Sequence, residues 1–209
     1  MKLLTFKLQG EEYLGALTDT GVVNLSTAAL EDRAFSSMQQ FIEAGQPALD
    51  RAYALLASGP VCKPSDQVDW LAPLPIPAQI RDCLGFEEHL KNAFESAIQL
   101  SAMAADDPVK AEQKFRASGR FAAPEVWYQQ PLYYKGNRFS VAPSGKDIVW
   151  PAYSEVMDFE LEMACVIGKK GKDISTDNAE DHIFGYTIFN DFSARDAQMV
   201  ESQGMLGPA

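Results

Sequence analysis

Histidine is almost missing from this chain: among 209 residues only His89 and His182 occur. Cysteine is scarce as well. Cys62, Cys83 and Cys165 are odd in number, widely scattered and outside C-x-x-C spacing, which excludes a disulfide framework and a zinc knuckle and reads as reduced thiols. No apolar run approaches the roughly 18 residues of a membrane span. The opening MKLLTFKLQGEEY is too short in apolar residues before Lys7 for a signal-peptide core. These absences predict a soluble, cytoplasmic protein. Positive charge is also in deficit: 18 Lys+Arg against 29 Asp+Glu leave a net charge of −11. That surplus repels phosphate backbones and anionic lipid surfaces, so neither nucleic acid nor membrane is an expected partner.

What is present suits a packed core. Hydrophobic residues at 46% and charged residues at 22% match globular averages and argue against disorder. Short β-like runs (LLTFKL, EYLGALT, VVNL) separated by Gly10-Glu11 and Asp19-Thr20-Gly21 turns predict an antiparallel meander. From Ser36 to Ala57 the positions Met38, Phe41, Ile42, Leu49, Tyr53 and Leu56 keep helical spacing, and Gly45-Gln46-Pro47 splits the stretch into two helices. Pro73, Pro75 and Pro77 make Trp70 to Ile80 an extended connector. Two domains are therefore expected, a small β-rich one with helices over 1–73 and a second over 74–209.

Residues 87–118 read as helical, interrupted at Asp106-Asp107-Pro108, with few large apolar residues around Ala102 to Ala117; a mobile lid or insertion is expected there. From Trp127 the pattern turns to β, through VWYQQPLYYKG, RFSVAP and DIVWPA, to a long strand from Met157 to Gly168. A short helix from Ser175 or Thr176 through Asp181, a GYTIFND strand, and a helix opened by an S-x-x-D capping box at Ser193 to Asp196 follow. The final QMVESQGMLGPA carries a Gly/Pro turn and no closing element, so the chain reads as stopping in mid-fold.

The stretch Met157-Asp158-Phe159-Glu160-Leu161-Glu162-Met163 is the most informative. Strand side chains alternate, so Asp158, Glu160 and Glu162 share one face and Phe159, Leu161 and Met163 the other. Carboxylates about 6–7 Å apart repel by roughly 2–3 kcal/mol at an effective dielectric near 20. A solvated face tolerates that; an interior does not unless a cation intervenes. Asn190-Asp191 adds an acid at the end of a second hydrophobic strand, where an N-cap is the plain alternative. An all-oxygen set suits Mg²⁺, Ca²⁺ or Mn²⁺ rather than zinc. His182 reads as a structural or capping residue. His89 follows Asp82 by seven residues and opens the expected lid, which makes it the candidate general base.

DFELEMACVIGKKGKDIS followed by HIFGYTIFNDFSARDAQ resembles the core signature of the fumarylacetoacetate hydrolase family, over roughly residues 74–209. The resemblance implies an α+β, predominantly β fold: a mixed β-sheet roll, incomplete at the C-terminus, behind a small β-rich N-terminal domain. It implies Glu160, Glu162, Asp191 and Asp82 as metal ligands, His89 as the catalytic histidine, and Tyr134, Arg195 and Gln198 as substrate contacts. Asn92 stands where many members carry a glutamate that orients the histidine, and Leu84 where an aromatic residue is common. Members continue past L-G-P with a lysine and further strands. Glu87, Glu88 and Glu95 read as exposed helix charges.

The function this implies is divalent-metal-dependent hydrolysis of a C–C bond in a small anionic β-diketo acid of the fumarylacetoacetate or acylpyruvate type, by a homodimer. Its alternatives are a 2-oxo acid decarboxylase, isomerase or hydratase of the same family, and a truncated, catalytically inactive metal-binding chain.

Overall fold

The computed structural model describes residues 1–103, 105–119 and 122–204. They form two compact units. One joins Met1–Ala78 to the chain from Asn137 onward, and the other is Gln79–Gly136. Helix holds 37% of the residues and strand 25%, in keeping with the expected α+β class. Among the described residues no barrel closes. No helix of the described residues is long and apolar enough to cross a membrane.

The meander expected at the start of the first unit is present. Strands β1 (Lys2–Leu8), β2 (Glu11–Thr18) and β3 (Gly21–Asn24) pair antiparallel in sequence. Gln9 and Gly10 turn the chain with positive φ, the geometry a tight hairpin needs. Helices α1 (Leu25–Ala28), α2 (Met38–Ala44) and α3 (Gln46–Ala57) follow. Ser37 caps α2 by accepting the Gln40 N–H, and Gly45 at φ 63° ends it, where a Cβ would be strained. Strands β4 (Cys62–Lys63) and β5 (Asp69–Trp70) complete the order β4-β3-β2-β1-β5.

The core lies between this sheet and the helices: Leu14, Ala16, Val23, Leu25, Phe35, Met38, Phe41, Ile42, Ala48 and Ala52 are buried together. Burying each large side chain is worth roughly 1.5–3 kcal/mol. The small Ala48 and Ala52 let α3 approach closely, so the buried stripe of α3 runs through them. Tyr53, expected on that stripe, is instead 53% exposed. The proline segment is extended as expected, and Leu71 N–H donates to Thr5 O (3.0 Å) while the Thr5 hydroxyl donates to Pro73 O (2.7 Å), tying it to β1.

In the second unit, strands β6 (Ile80–Cys83) and β7 (Tyr133–Gly136) pair antiparallel around α4 (Glu87–Met103), α5 (Pro108–Ala117) and α6 (Glu125–Gln129). The expected break at Asp107-Pro108 is real: Asp107 accepts the Lys110 N–H and Pro108 starts α5. The β reading from Trp127 is corrected. Residues 125–129 form a helical turn whose Trp127 indole donates to Leu84 O (2.8 Å), and only Tyr133–Gly136 is strand, because Pro131 separates the two.

Three further expectations change in the first unit. RFSVAP and DIVWPA form no strand. Asn137 accepts the Phe139 N–H (3.0 Å), Pro143 and Gly145 turn the chain, and Pro151 lacks a ladder donor. The long strand from Met157 splits into β8 (Met157–Asp158) and β9 (Leu161–Ile167), because Asp158 takes the N–H of Phe159 (2.8 Å). The expected short helix at 175–181 is two single 3₁₀ turns, Thr176–Asn178 and Glu180–His182. Strand β10 (Ile183–Asn190) pairs with β9, and β11 (Ser193–Ala194) with β8, before α7 (Arg195–Gln203). The Gly/Pro turn expected over 204–209 falls, from residue 205 on, outside the described residues.

Candidate metal centre

The β9–β10 register assembles the acidic face. Glu162 stands opposite Phe189, and one step further along the ladder Glu160 exchanges backbone hydrogen bonds with Asp191, both at 3.1 Å. A directly opposed antiparallel pair places its side chains on one face, and Glu162, two residues from Glu160, shares it. Glu162 and Asp191 accordingly offer carboxylate oxygens within 4.8 Å of each other.

This face is the more enclosed one. Glu160, Glu162, Ala164 and Val166 are half-buried, and Val166 with Phe184 of β10 packs against the core of the first unit. The apolar set points outward instead: Leu161 is 78% exposed, Met163 67% and Ile188 79%. The acidic strand face is thus half-buried rather than fully solvated. Like charges held together on a half-buried strand face are stabilised by a cation, and an all-carboxylate donor set suits a hard divalent one. The residues present fit such an ion.

Arg195 borders the cluster from the start of α7. Its Nη2 lies 2.5 Å from Glu160 Oε1 and 2.9 Å from Asp158 Oδ2, its Nε donates to the same Asp158 oxygen at 3.0 Å, and Nη1 donates to Gln198 Oε1 at 3.2 Å. Burial works against the guanidinium charge, but the bonds to Glu160 and then Asp158 outweigh it and hold its pKa above the usual value. Asp158 is held below the ordinary carboxylate range, first by the Phe159 N–H and then by Arg195. The sequence-predicted residues Glu160, Glu162, Asp191, Arg195 and Gln198 thus all belong to one corner of the first unit.

The expected capping box does not form. Ser193 is in β11 and its hydroxyl donates to Asp191 O (3.4 Å), while the Ala197 N–H in the first turn of α7 donates to Asp196 Oδ1 (2.9 Å). The Asp196 carboxylate instead reaches back across the chain. It accepts the buried Ser154 hydroxyl (2.6 Å) and the Glu155 N–H (2.7 Å), which keep it ionised below the usual range. With Arg195 N–H donating to Val156 O (2.8 Å), the 154–156 segment is pinned to the first turn of α7. Sequence reasoning missed Ser154 and Asp196 in this role, since nothing local connects residues 42 positions apart. Asp158 was visible as part of the acidic face, but its partner was not.

In the second unit Asp82 sits half-buried on β6 directly opposite the half-buried Tyr134 on β7, so these two expected site residues share a face of one hairpin. His89 lies exposed in the first turns of α4. Glu87 is bonded to Lys91 (2.9 Å) and the Tyr128 hydroxyl (2.9 Å), and Glu95 to Arg116, consistent with exposed helix charges. His182 is structural: Nδ1 lies 2.8 Å from Lys169 O and its carbonyl accepts the Gly168 N–H.

The C-terminal domain family described as "Fumarylacetoacetate (FAA) hydrolase C-terminal" matches residues 85–209, and the chain belongs to that family. It is 30% identical over 181 residues to the human mitochondrial oxaloacetate tautomerase FAHD2A, a match covering 86% of this chain and 47% of that protein. It is 42% identical over 93 residues to the fumarylacetoacetase of Oryza sativa subsp. japonica, covering 36% of this chain and 22% of the relative. The chain thus spans about half or less of the length of these relatives.

Among solved structures, the maleylpyruvate hydrolase of Sphingobium sp. SYK-6, in complex with manganese(II) and pyruvate, superposes with a TM-score of 0.62 at 17% identity, covering 93% of this chain and 60% of the other. The fumarylacetoacetate hydrolase of Exiguobacterium antarcticum gives 0.58 at 22% identity, covering 97% and 59%. The fold is that of the fumarylacetoacetate hydrolases.

Proposed function

We propose that the protein is a divalent-metal-dependent enzyme that hydrolyses a C–C bond in a small anionic β-diketo acid of the fumarylacetoacetate or acylpyruvate type. The observation that carries this reading is the half-buried carboxylate face on which Glu162 and Asp191 bring oxygens within 4.8 Å of each other, with Glu160 on the same face paired to Arg195 and Arg195 bonded to Gln198. Asp82 is the fourth proposed ligand. A bound Mg²⁺, Mn²⁺ or Ca²⁺ supplies Lewis-acid polarisation of substrate oxygens. The remaining work falls to the chain. Arg195 and Gln198 donate hydrogen bonds to substrate oxygens, and Tyr134 lines the substrate. His89 takes a proton from the attacking water, for which an imidazole is matched near neutral pH. In a protein of net charge −11 an anionic substrate would need the bound divalent cation together with Arg195 to offset the surrounding carboxylates.

One observation favours a second reading within the same chemistry: the long match to an oxaloacetate tautomerase. A tautomerase needs the same metal, base and oxygen donors but no attacking water.

Both readings meet one experiment. The intact protein is incubated with acylpyruvates and with oxaloacetate, with Mg²⁺, with Mn²⁺ and with EDTA. Loss of the diketone absorbance and release of two acids report cleavage, and enol–keto interconversion of oxaloacetate reports tautomerisation. Glu162→Gln should lower metal-dependent turnover by about 10²-fold or more. Turnover of neither class, or turnover indifferent to EDTA and to Glu162→Gln, overturns the metal-enzyme reading.

A further inference from the structure

We propose that Asp158 is a positioning residue that fixes the Arg195 guanidinium and, through it, turns the Gln198 amide so that its NH₂ group is the part offered to substrate. The proposal rests on the reading of this corner as a keto-acid site. Its first support is how firmly Asp158 is placed. It pairs with Ser193 in the β8–β11 ladder, and Val156 O receives the Arg195 N–H, so the two residues are held by backbone on both sides. The Phe159 N–H occupies Oδ1, which leaves Oδ2 for the guanidinium, and both Nε and Nη2 bond to it. One edge of the planar guanidinium is thereby fixed.

The second support is donor–acceptor logic. Arginine has only donors, so Gln198 meets Nη1 with its carbonyl oxygen, and the two donors of its Nε2 are directed elsewhere. An amide turned this way recognises carboxylate and carbonyl oxygens and discriminates against a substrate that would present a donor there. The third support is competition. Arg195 also reaches Glu160, a proposed metal ligand. Asp158 provides the guanidinium with an anion of its own, so that Glu160 is not the only residue holding it.

The test compares the intact wild-type protein with Asp158→Ala, Asp158→Asn and Asp158→Glu. The readouts are the ¹⁵N NMR signals of the Arg195 Nε–H and Gln198 NH₂ groups, identified with Arg195→Lys and Gln198→Glu, and KM and kcat for an acylpyruvate. Asp158→Ala should broaden or shift both side-chain signals and raise KM about tenfold while kcat changes less than about threefold. Asp158→Asn keeps the size and the acceptor to Phe159 N–H, should fold as the wild type does, and should show an intermediate effect. Asp158→Glu should restore part of the loss. Unchanged side-chain signals overturn the proposal, as do lost signals with an unchanged KM. If the wild-type protein turns over no β-diketo acid, the functional reading falls, and the two side-chain signals still decide the role of Asp158.

Discussion

Replacing Phe41 by alanine tests how the acidic face is supported. Phe41 is fully buried in α2 and sits at the centre of an aromatic set, with Phe35 at a centroid distance of 5.3 Å and 68° between planes, and Phe184 at 6.1 Å and 85°. Phe184 lies on β10, the strand that leads to Asp191, so Phe41 couples the N-terminal core to the strand pair bearing the carboxylates. Truncating a buried phenylalanine costs about 3–5 kcal/mol, combining lost transfer energy with the cavity left behind. Each edge-to-face pair adds about 0.5–1.5 kcal/mol beyond area burial and is contained in that figure.

Against a total stability of roughly 5–15 kcal/mol the loss is large. It should appear in urea unfolding as a lower midpoint with an unchanged slope. The double mutant Phe41→Ala/Phe184→Ala should lose less than the sum of the singles by about 0.5–1.5 kcal/mol, the coupling expected for one aromatic pair. A single-mutant loss under about 1 kcal/mol, or strict additivity, would refute the claim that Phe41 braces the strand pair.

Two further outcomes follow from the geometry. The Asp196 carboxyl is held below its ordinary range first by the Ser154 hydroxyl, so its contribution is present above the unfolded value near 3.9 and is lost as pH falls through the lower folded one. Asp196→Asn should therefore lower the melting temperature at pH 7 and lower it less near pH 3; an equal drop at both would remove the ionised carboxylate from the account. A Cβ at Gly15 would lie 2.7 Å from Phe6 Cε1, with Phe6 fully buried. Gly15→Ala should thus destabilise by about 1–3 kcal/mol as overpacking, read by urea unfolding, and a neutral result would show that the Phe6 ring yields.

Much of the local structure was legible in the chain itself, because it depends on neighbours. The Gly10 and Gly21 turns announce the meander, Gly45-Gln46-Pro47 announces the break between α2 and α3, and Asp107-Pro108 announces a helix start. The period of two in Glu160 and Glu162 places both on one face by strand alternation alone, and the two long motifs carry the family. The β reading of 126–132 and of 138–152 failed for a physical reason, while Tyr133–Gly136 did form a strand. Aromatic and β-branched residues favour strand only where a partner strand completes the ladder, and here prolines and the Asn137 side chain take the backbone elsewhere.

Tertiary structure alone decided the rest. That Asp191 stands opposite Glu160 depends on the antiparallel register of β9 and β10, in which a one-residue slip would turn its side chain to the other face. That the acidic face is the half-buried one, with Leu161, Met163 and Ile188 outward, depends on Val166 and Phe184 finding the core of the N-terminal sheet and helices. The bond from Ser154 to Asp196 and the tether from Asp158 to Arg195 join residues 42 and 37 positions apart. A sequence encodes which side chains can make such bonds, but hydrogen bonding and ion pairing act over a few ångströms, and only the folded backbone brings those distances about.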